Sequence, residues 1–161
     1  MTGDKKVKLN SESLQIIVDE SRLKLDDQLD SVKSLDNKAA IIVSFSGVIL
    51  SILLTSDVFN GGSTAATLIG LLIFLAALLS IIVLLVRAYK RDPDPRNFYV
   101  GYVIKKPVET LEVLAGSFID SYEKNQKKIL IKKYLVNGSF VLMGLASLIL
   151  FLELANISCK L

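Results

Sequence analysis

The sequence predicts an all-α membrane protein, with three transmembrane helices and two long cytosolic helices forming a stalk. Three observations predict it. Three apolar blocks are each long enough to cross a bilayer. Lysine and arginine gather on one side of them. The two polar segments that lead into the first and third blocks carry apolar residues seven apart.

The first block is AAIIVSFSGVILSILLTS, 18 residues without a charge. The second is AATLIGLLIFLAALLSIIVLLV, 22 residues without a charge. The third is LVNGSFVLMGLASLILFLEL, 20 residues with one charge, Glu153. At helical rise they are roughly 27, 33 and 30 Å long, against a hydrocarbon core of about 30 Å. With their interfacial residues the spans are set at 39–56, 65–88 and 135–156. An N-terminal helix within 1–38, an external turn at 57–64, a connector at 89–106, a helix at 107–134 and an external tail at 157–161 make up the rest. The first block follows 38 mostly polar residues and no small-residue cleavage site follows it, so it reads as an uncleaved anchor.

Composition narrows the chemistry. Hydrophobic residues are 52% of the chain, concentrated in the blocks, and net charge is only +3, which gives no reason to expect nucleic acid as a partner. There is no histidine, and Cys159 is the single cysteine, so a histidine base, a thiolate cluster and an intrachain disulfide are excluded. No phosphate-binding glycine loop, nucleophile elbow or metal-ligand spacing is present. A non-enzymatic role without cofactor or metal is the expectation.

Orientation follows from the basic residues. The link between blocks one and two has no Lys or Arg, the link between blocks two and three has 11, the first 38 residues have seven, and the tail has Lys160 alone. Positive charge stays in the cytosol, which places the N-terminus inside and the C-terminus outside. Tyr89 and Tyr134 flank the inner ends of the spans, where amphipathic rings favour the interface.

The polar segments come next. In the first, Val18, Leu25, Val32 and Ala39 form one row, and Leu14, Ser21, Gln28 and Leu35 a second beside it. This is a heptad seam with two polar positions. In the second segment Val108, Ala115, Tyr122 and Ile129 form one row, and Leu111, Phe118, Asn125 and Lys132 another. Pro107 suits a first helical position, because its missing N–H is not needed there. The segments have nearly equal length and both lead into the membrane, so a parallel pair would bury both seams. The alternative is that each lies flat on the bilayer. The upright pair is favoured, because a flat helix would bring Asp26, Asp27 and Asp30 against anionic lipid. Gln28 and Asn125 then set the register. Asn125 is expected to pair with Gln28, Ser21 or the Asn125 of a second subunit, and Asn125→Leu is expected to raise stability.

Two further groups of residues stand out. Lys124, Lys127, Lys128, Lys132 and Lys133 lie just before the third block, where lipid headgroups are the default partner and an anionic soluble ligand the alternative. Ala40, Ser44, Gly47, Ser51 and Thr55 form a small-residue stripe on the first span, and Gly138, Gly144 and Ser147 do similarly on the third. Small residues let backbones approach, so these read as helix-packing faces, with a pore lining as the alternative.

The stretch LDDQLDSVKSLDNKAAIIVSFSGVILSIL, residues 25–53, carries an Asp-x-Lys-Ala step before its span, Asp36-Asn37-Lys38-Ala39. IDSYEKNQKKILIKKYLVNGSF, residues 119–140, carries a charged helix with an Asn and a Lys-Tyr step into the last span. Together they resemble small prokaryotic membrane proteins that include effectors of the Pycsar cyclic-pyrimidine antiphage systems, and uncharacterised three-span relatives. The resemblance implies a membrane part that damages the bilayer when a cyclic nucleotide arrives. The expected function is an oligomeric membrane effector or pore-forming subunit with a cytosolic sensor and assembly stalk. Its partners would be the lipid bilayer, further copies of itself, and a cyclic nucleotide or a protein. The alternative is an adaptor that holds a protein partner at the membrane.

Overall fold

The structure, a computed structural model, describes residues 11–55, 64–86, 89–90 and 106–158, without the side chains of 154 and 156–158. Three helices account for almost all of these: α1 at Ser11–Thr55, α2 at Thr64–Leu85 and α3 at Pro107–Ser158. There is no strand among the described residues. Most of the expected external turn, most of the Pro93- and Pro95-containing connector, and the tail from Cys159 lie outside them.

Each of the three helices holds a stretch long and apolar enough to cross a membrane. Only 22%, 28% and 17% of those stretches is buried within the chain, so most of their apolar surface faces outward, where hydrocarbon would receive it. α1 and α3 pass from charged to apolar sequence without a break. Neither Pro nor Gly occurs between Asn37 and Phe45, or between Ser117 and Asn137. Because helical hydrogen bonds are local, a change in side-chain polarity does not interrupt them.

The chain divides into two compact units. The charged unit takes α1 up to Ser31 and α3 up to Lys127, together with Tyr89 and Lys90. Here Leu25, Leu114 and Phe118 form a buried cluster with Val18 against it. The pairing of Leu25 with Phe118 and of Gln28 with Tyr122 makes the two helices parallel. The α3 face is wider than the sequence suggests. The rows holding Leu114 and Ser121 and holding Leu111, Phe118 and Asn125 are both drawn inward, whereas Val108, assigned to a buried row, is 41% exposed.

The span unit takes the rest of α1 and α3 and all of α2. Ala39, Val83 and Val136 pack together near its charged end, and Leu53, Ile69, Ile73 and Ala146 near the other. These layers make α1 and α3 parallel and α2 antiparallel to both. Small residues are interspersed with branched ones along the seam: Ala39, Ile42, Ser46 and Leu53 on α1, and Ala66, Ile69, Ile73, Ala76, Ser80 and Val83 on α2. The mixture lets backbones approach while side chains interlock.

The small-residue stripe of the sequence reading is therefore misplaced as a packing face within the chain. Ala40, Ser44, Gly47, Ser51 and Thr55 are exposed. A Cβ at Gly47 or Gly144 would meet nothing within 4 Å, and Ser147 is exposed as well. Only Gly138 abuts a neighbour, with its Cβ position 3.7 Å from Leu79 Cδ1. The helices meet one residue earlier in each turn, and one residue is a rotation of about 100°. Three of the exposed hydroxyls are spent on their own helix: Ser44 donates to the Ala40 carbonyl at 3.0 Å, Thr55 to Ser51 at 3.0 Å and Ser147 to Met143 at 2.9 Å. Facing hydrocarbon thus leaves these three donors satisfied.

Candidate functional site in the polar seam

Polar side chains enter the helix interfaces at a few points; Gln28, Asn125 and Lys132 have defined partners, whereas the buried Ser80 Oγ has no hydrogen-bond partner among the described residues. In the charged unit Gln28 is buried, and its Nε2 donates to the Tyr122 carbonyl at 3.1 Å. Its Oε1 is buried with no hydrogen-bond partner among the described residues. Asn125 is 1% exposed. Its Oδ1 accepts the Lys90 backbone N–H at 3.0 Å, and its Nδ2 donates to the Lys90 carbonyl at 3.0 Å. The side-chain amide thus pairs with both main-chain groups of one residue, as a strand neighbour would. This corrects the sequence expectation, which sought a partner for Asn125 in Gln28, Ser21 or a second Asn125. A carboxamide carries one acceptor and two donors, so a peptide main chain is an equally good match for it.

Beside these contacts lies an open cavity of about 320 Å³, lined by Ser21, Lys24, Phe118, Ile119, Tyr122, Glu123 and Gln126. It offers two aromatic rings, one cation, one carboxylate and two groups able to donate or accept hydrogen bonds. Its size falls at the lower end of ligand pockets, roughly 300–1,000 Å³.

The five lysines of the basic cluster do not act as one patch. Lys124 Nζ lies 2.6 Å from Asp120 Oδ2, one turn back on the same helix. That hydrogen bond is the main reason the Asp120 carboxyl is held below its ordinary value of 3.8. Lys127 and Lys133 are exposed, and Lys128 is half-buried. Lys132 is 0% exposed, and its Nζ meets Asp36 Oδ1 at 2.5 Å within the span unit. In this structure its ammonium is fully enclosed and paired to a carboxylate, and so is not presented to lipid headgroups as the sequence expectation had it. The signal for this was available. The heptad row Leu111, Phe118, Asn125, Lys132 puts the lysine on the buried face, and a lysine there needs an acid opposite. Aligning the ends of the two equal-length polar segments brings residue 36 to within one residue of it.

The first two spans, most of the third, the Asp36–Lys132 pair and the Asn125 contact fall inside the stretch 22–152, and that stretch matches the Pycsar effector protein domain. The chain belongs to this family. The match takes in all of the cavity-lining residues of α3 and Lys24 of α1, while Ser21 precedes it. In this Pycsar effector domain the Asp-x-Lys-Ala step has a concrete meaning: Asp36 holds Lys132, and Ala39 is the 0% exposed small residue packed with Val83 and Val136. No curated protein and no solved structure matches the chain.

Proposed function

We propose that this chain is a membrane effector of antiphage defence, an oligomer whose spans compromise the bilayer when a signal reaches its charged unit. The charged unit is the cytosolic part, a parallel helical stalk for sensing and assembly. The N-terminus and the long link are cytosolic and the C-terminus is external, in keeping with the 11 and seven basic residues on that side. The protein has no catalytic residue and takes no cofactor. The observation that carries this reading is the joining, in a Pycsar effector domain, of outward-facing apolar helices to a charged unit with a ligand-sized cavity.

The signal is a cyclic nucleotide held in that cavity. Tyr122 and Phe118 provide faces for a base, Lys24 a cation for the phosphate, and Gln126 and Ser21 hydrogen bonds. Lys127 and Lys133, both exposed, lie against anionic headgroups. Inducible expression with a membrane-potential dye tests the proposal. Depolarisation that depends on an added cyclic pyrimidine supports it. Cells that stay fully polarised at high expression, with and without the nucleotide, sink it.

A second reading rests on Ile16 and Leu23. They are 61% and 59% exposed, seven residues apart on the charged part of α1. An adaptor would use such a stripe to hold a protein. Purification in mild detergent separates the two readings. A stable heteromeric complex favours the adaptor, and a homo-oligomer alone favours the effector.

A further inference from the structure

The Lys132–Asp36 pair is an expensive way to join two helices. Taking an ammonium out of water costs more than an ion pair commonly returns, and apolar residues of similar size would often do as well or better. The pair therefore needs a reason other than stability. Its surroundings supply one. It sits beside the layer of Ala39, Val83 and Val136, where all three spans converge at their charged end. The enclosure is one-sided: Lys132 is 0% exposed, while the Asp36 side chain is 33% exposed. Lys133, the next residue, is exposed. A lysine at a bilayer boundary has a second anion within reach, since its four-carbon stem can carry the ammonium outward to lipid phosphate. Both positions satisfy the charge, so the lysine can exchange one anion for the other without standing unpaired.

We propose that Lys132 is a two-position latch. Resting on Asp36, it holds the charged ends of the three spans together. Moved to lipid phosphate, it lets them part. The apolar layer of Leu53, Ile69, Ile73 and Ala146 has no such polar pair among its members, so the two ends of the bundle differ in how readily they open. The latch deepens the effector reading and rests on it for its consequence, but its structural part stands apart and is read separately.

The test uses the full chain with Cys159→Ser, reconstituted in vesicles of zwitterionic lipid or of zwitterionic lipid with anionic phosphatidylglycerol. One cysteine pair, Ala39→Cys with Val136→Cys, reports the latched end by disulfide formation. A second pair, Leu53→Cys with Ala146→Cys, reports the opposite end. With Asp36 and Lys132 intact, both pairs should cross-link in zwitterionic vesicles. Asp36→Asn should lower cross-linking several-fold at the latched end alone. Anionic lipid should lower it there too, and should have little further effect on Asp36→Asn. The exchange Asp36→Lys with Lys132→Asp should restore it. Unchanged cross-linking at the latched end in Asp36→Asn overturns the latch. So does equal loss at both ends, which would make the pair a general strut. Dye leakage from the same vesicles is measured in parallel. Loss of cross-linking without leakage leaves the latch standing and removes the effector reading.

Discussion

The charged unit and the span unit use the same two rows of α1 for different work. In the charged unit the rows carry Leu14, Val18, Leu25 and Gln28, and the opposite face carries Asp19, Glu20, Asp26, Asp27 and Asp30, all exposed. In the span unit the rows continue through Ala39, Ile42, Ser46 and Leu53, and the opposite face carries Ile41, Phe45, Val48 and Ile52, again all exposed. The inner faces share one period, and the outer faces have nothing in common. What decides whether a stretch belongs in water or in lipid is the face that touches no other helix. The inner face decides only which helices meet. The driving forces differ accordingly. In water, burying Leu25 and Phe118 is itself favourable. In lipid the hydrocarbon is as apolar as the helix, so close fit through Ala39 and Ala76 must hold the spans together.

The largest effect expected from this difference is in the charged unit. Phe118→Ala removes the aromatic centre of its cluster and should destabilise that unit by about 3–5 kcal/mol. Hydrogen exchange should show the loss in α3 before Lys127. Equal loss of protection throughout α2 would mean that the two units do not unfold separately.

Much of this was legible in the sequence. The three blocks gave the spans, because length and lack of charge suffice for that. The rows through Val18 and Leu25 gave the true contact face of α1 in the charged unit, because the polar outer face makes the apolar residues stand out. Past Ala39 that contrast disappears, since every position is apolar or small, and the eye turns to hydroxyls and glycines. Yet adding seven to Ala39 gives Ser46 and then Leu53, both buried. Extending the row through the span would have found the face that the stripe of Ala40, Ser44, Gly47 and Ser51 missed. Partners such as Lys90 for Asn125 were beyond reach, because a backbone contact leaves no mark in side-chain pattern.

The next effect tests that rotation directly. Ala39 is 0% exposed and its neighbour Ala40 is exposed. Ala39→Leu forces three extra carbons into a packed layer and should cost about 1–3 kcal/mol. Ala40→Leu faces outward and should leave the melting temperature of the monomer in detergent unchanged. If Ala40→Leu instead changes the size of the oligomer, the stripe is a contact between copies. Equal destabilisation by both substitutions would contradict the heptad face.

Asn125→Leu gives a smaller change whose sign separates two accounts. Read from the sequence, the amide weakens an apolar seam and its loss should stabilise. In the structure it makes two 3.0 Å hydrogen bonds to Lys90, and its loss should destabilise by about 1–2 kcal/mol. Asn125→Asp should cost at least as much, since its second carboxylate oxygen would face the Lys90 carbonyl and its charge would be buried. A rise in melting temperature for Asn125→Leu would return the argument to the seam.

The smallest effect concerns Asp120 and Lys124, an exposed pair one helical turn apart in the charged unit. The hydrogen bond from Lys124 holds the Asp120 carboxyl below its ordinary value of 3.8, against desolvation, with the Lys124 and Lys90 charges adding to the lowering. A depressed carboxyl binds its proton less readily when folded than when unfolded. Its contribution is therefore fully present above the ordinary value and fades as the pH falls through the lower folded value. Solvent screens the pair on both sides, so the change should be small and should weaken further with salt. A carbon-13 titration of the Asp120 carboxyl should show a midpoint below that of Asp120 in Lys124→Gln. The two midpoints should draw together at high ionic strength. Coincident midpoints at low salt would mean that the pair does not persist in solution, and that the outer face of the charged unit is held by solvation alone.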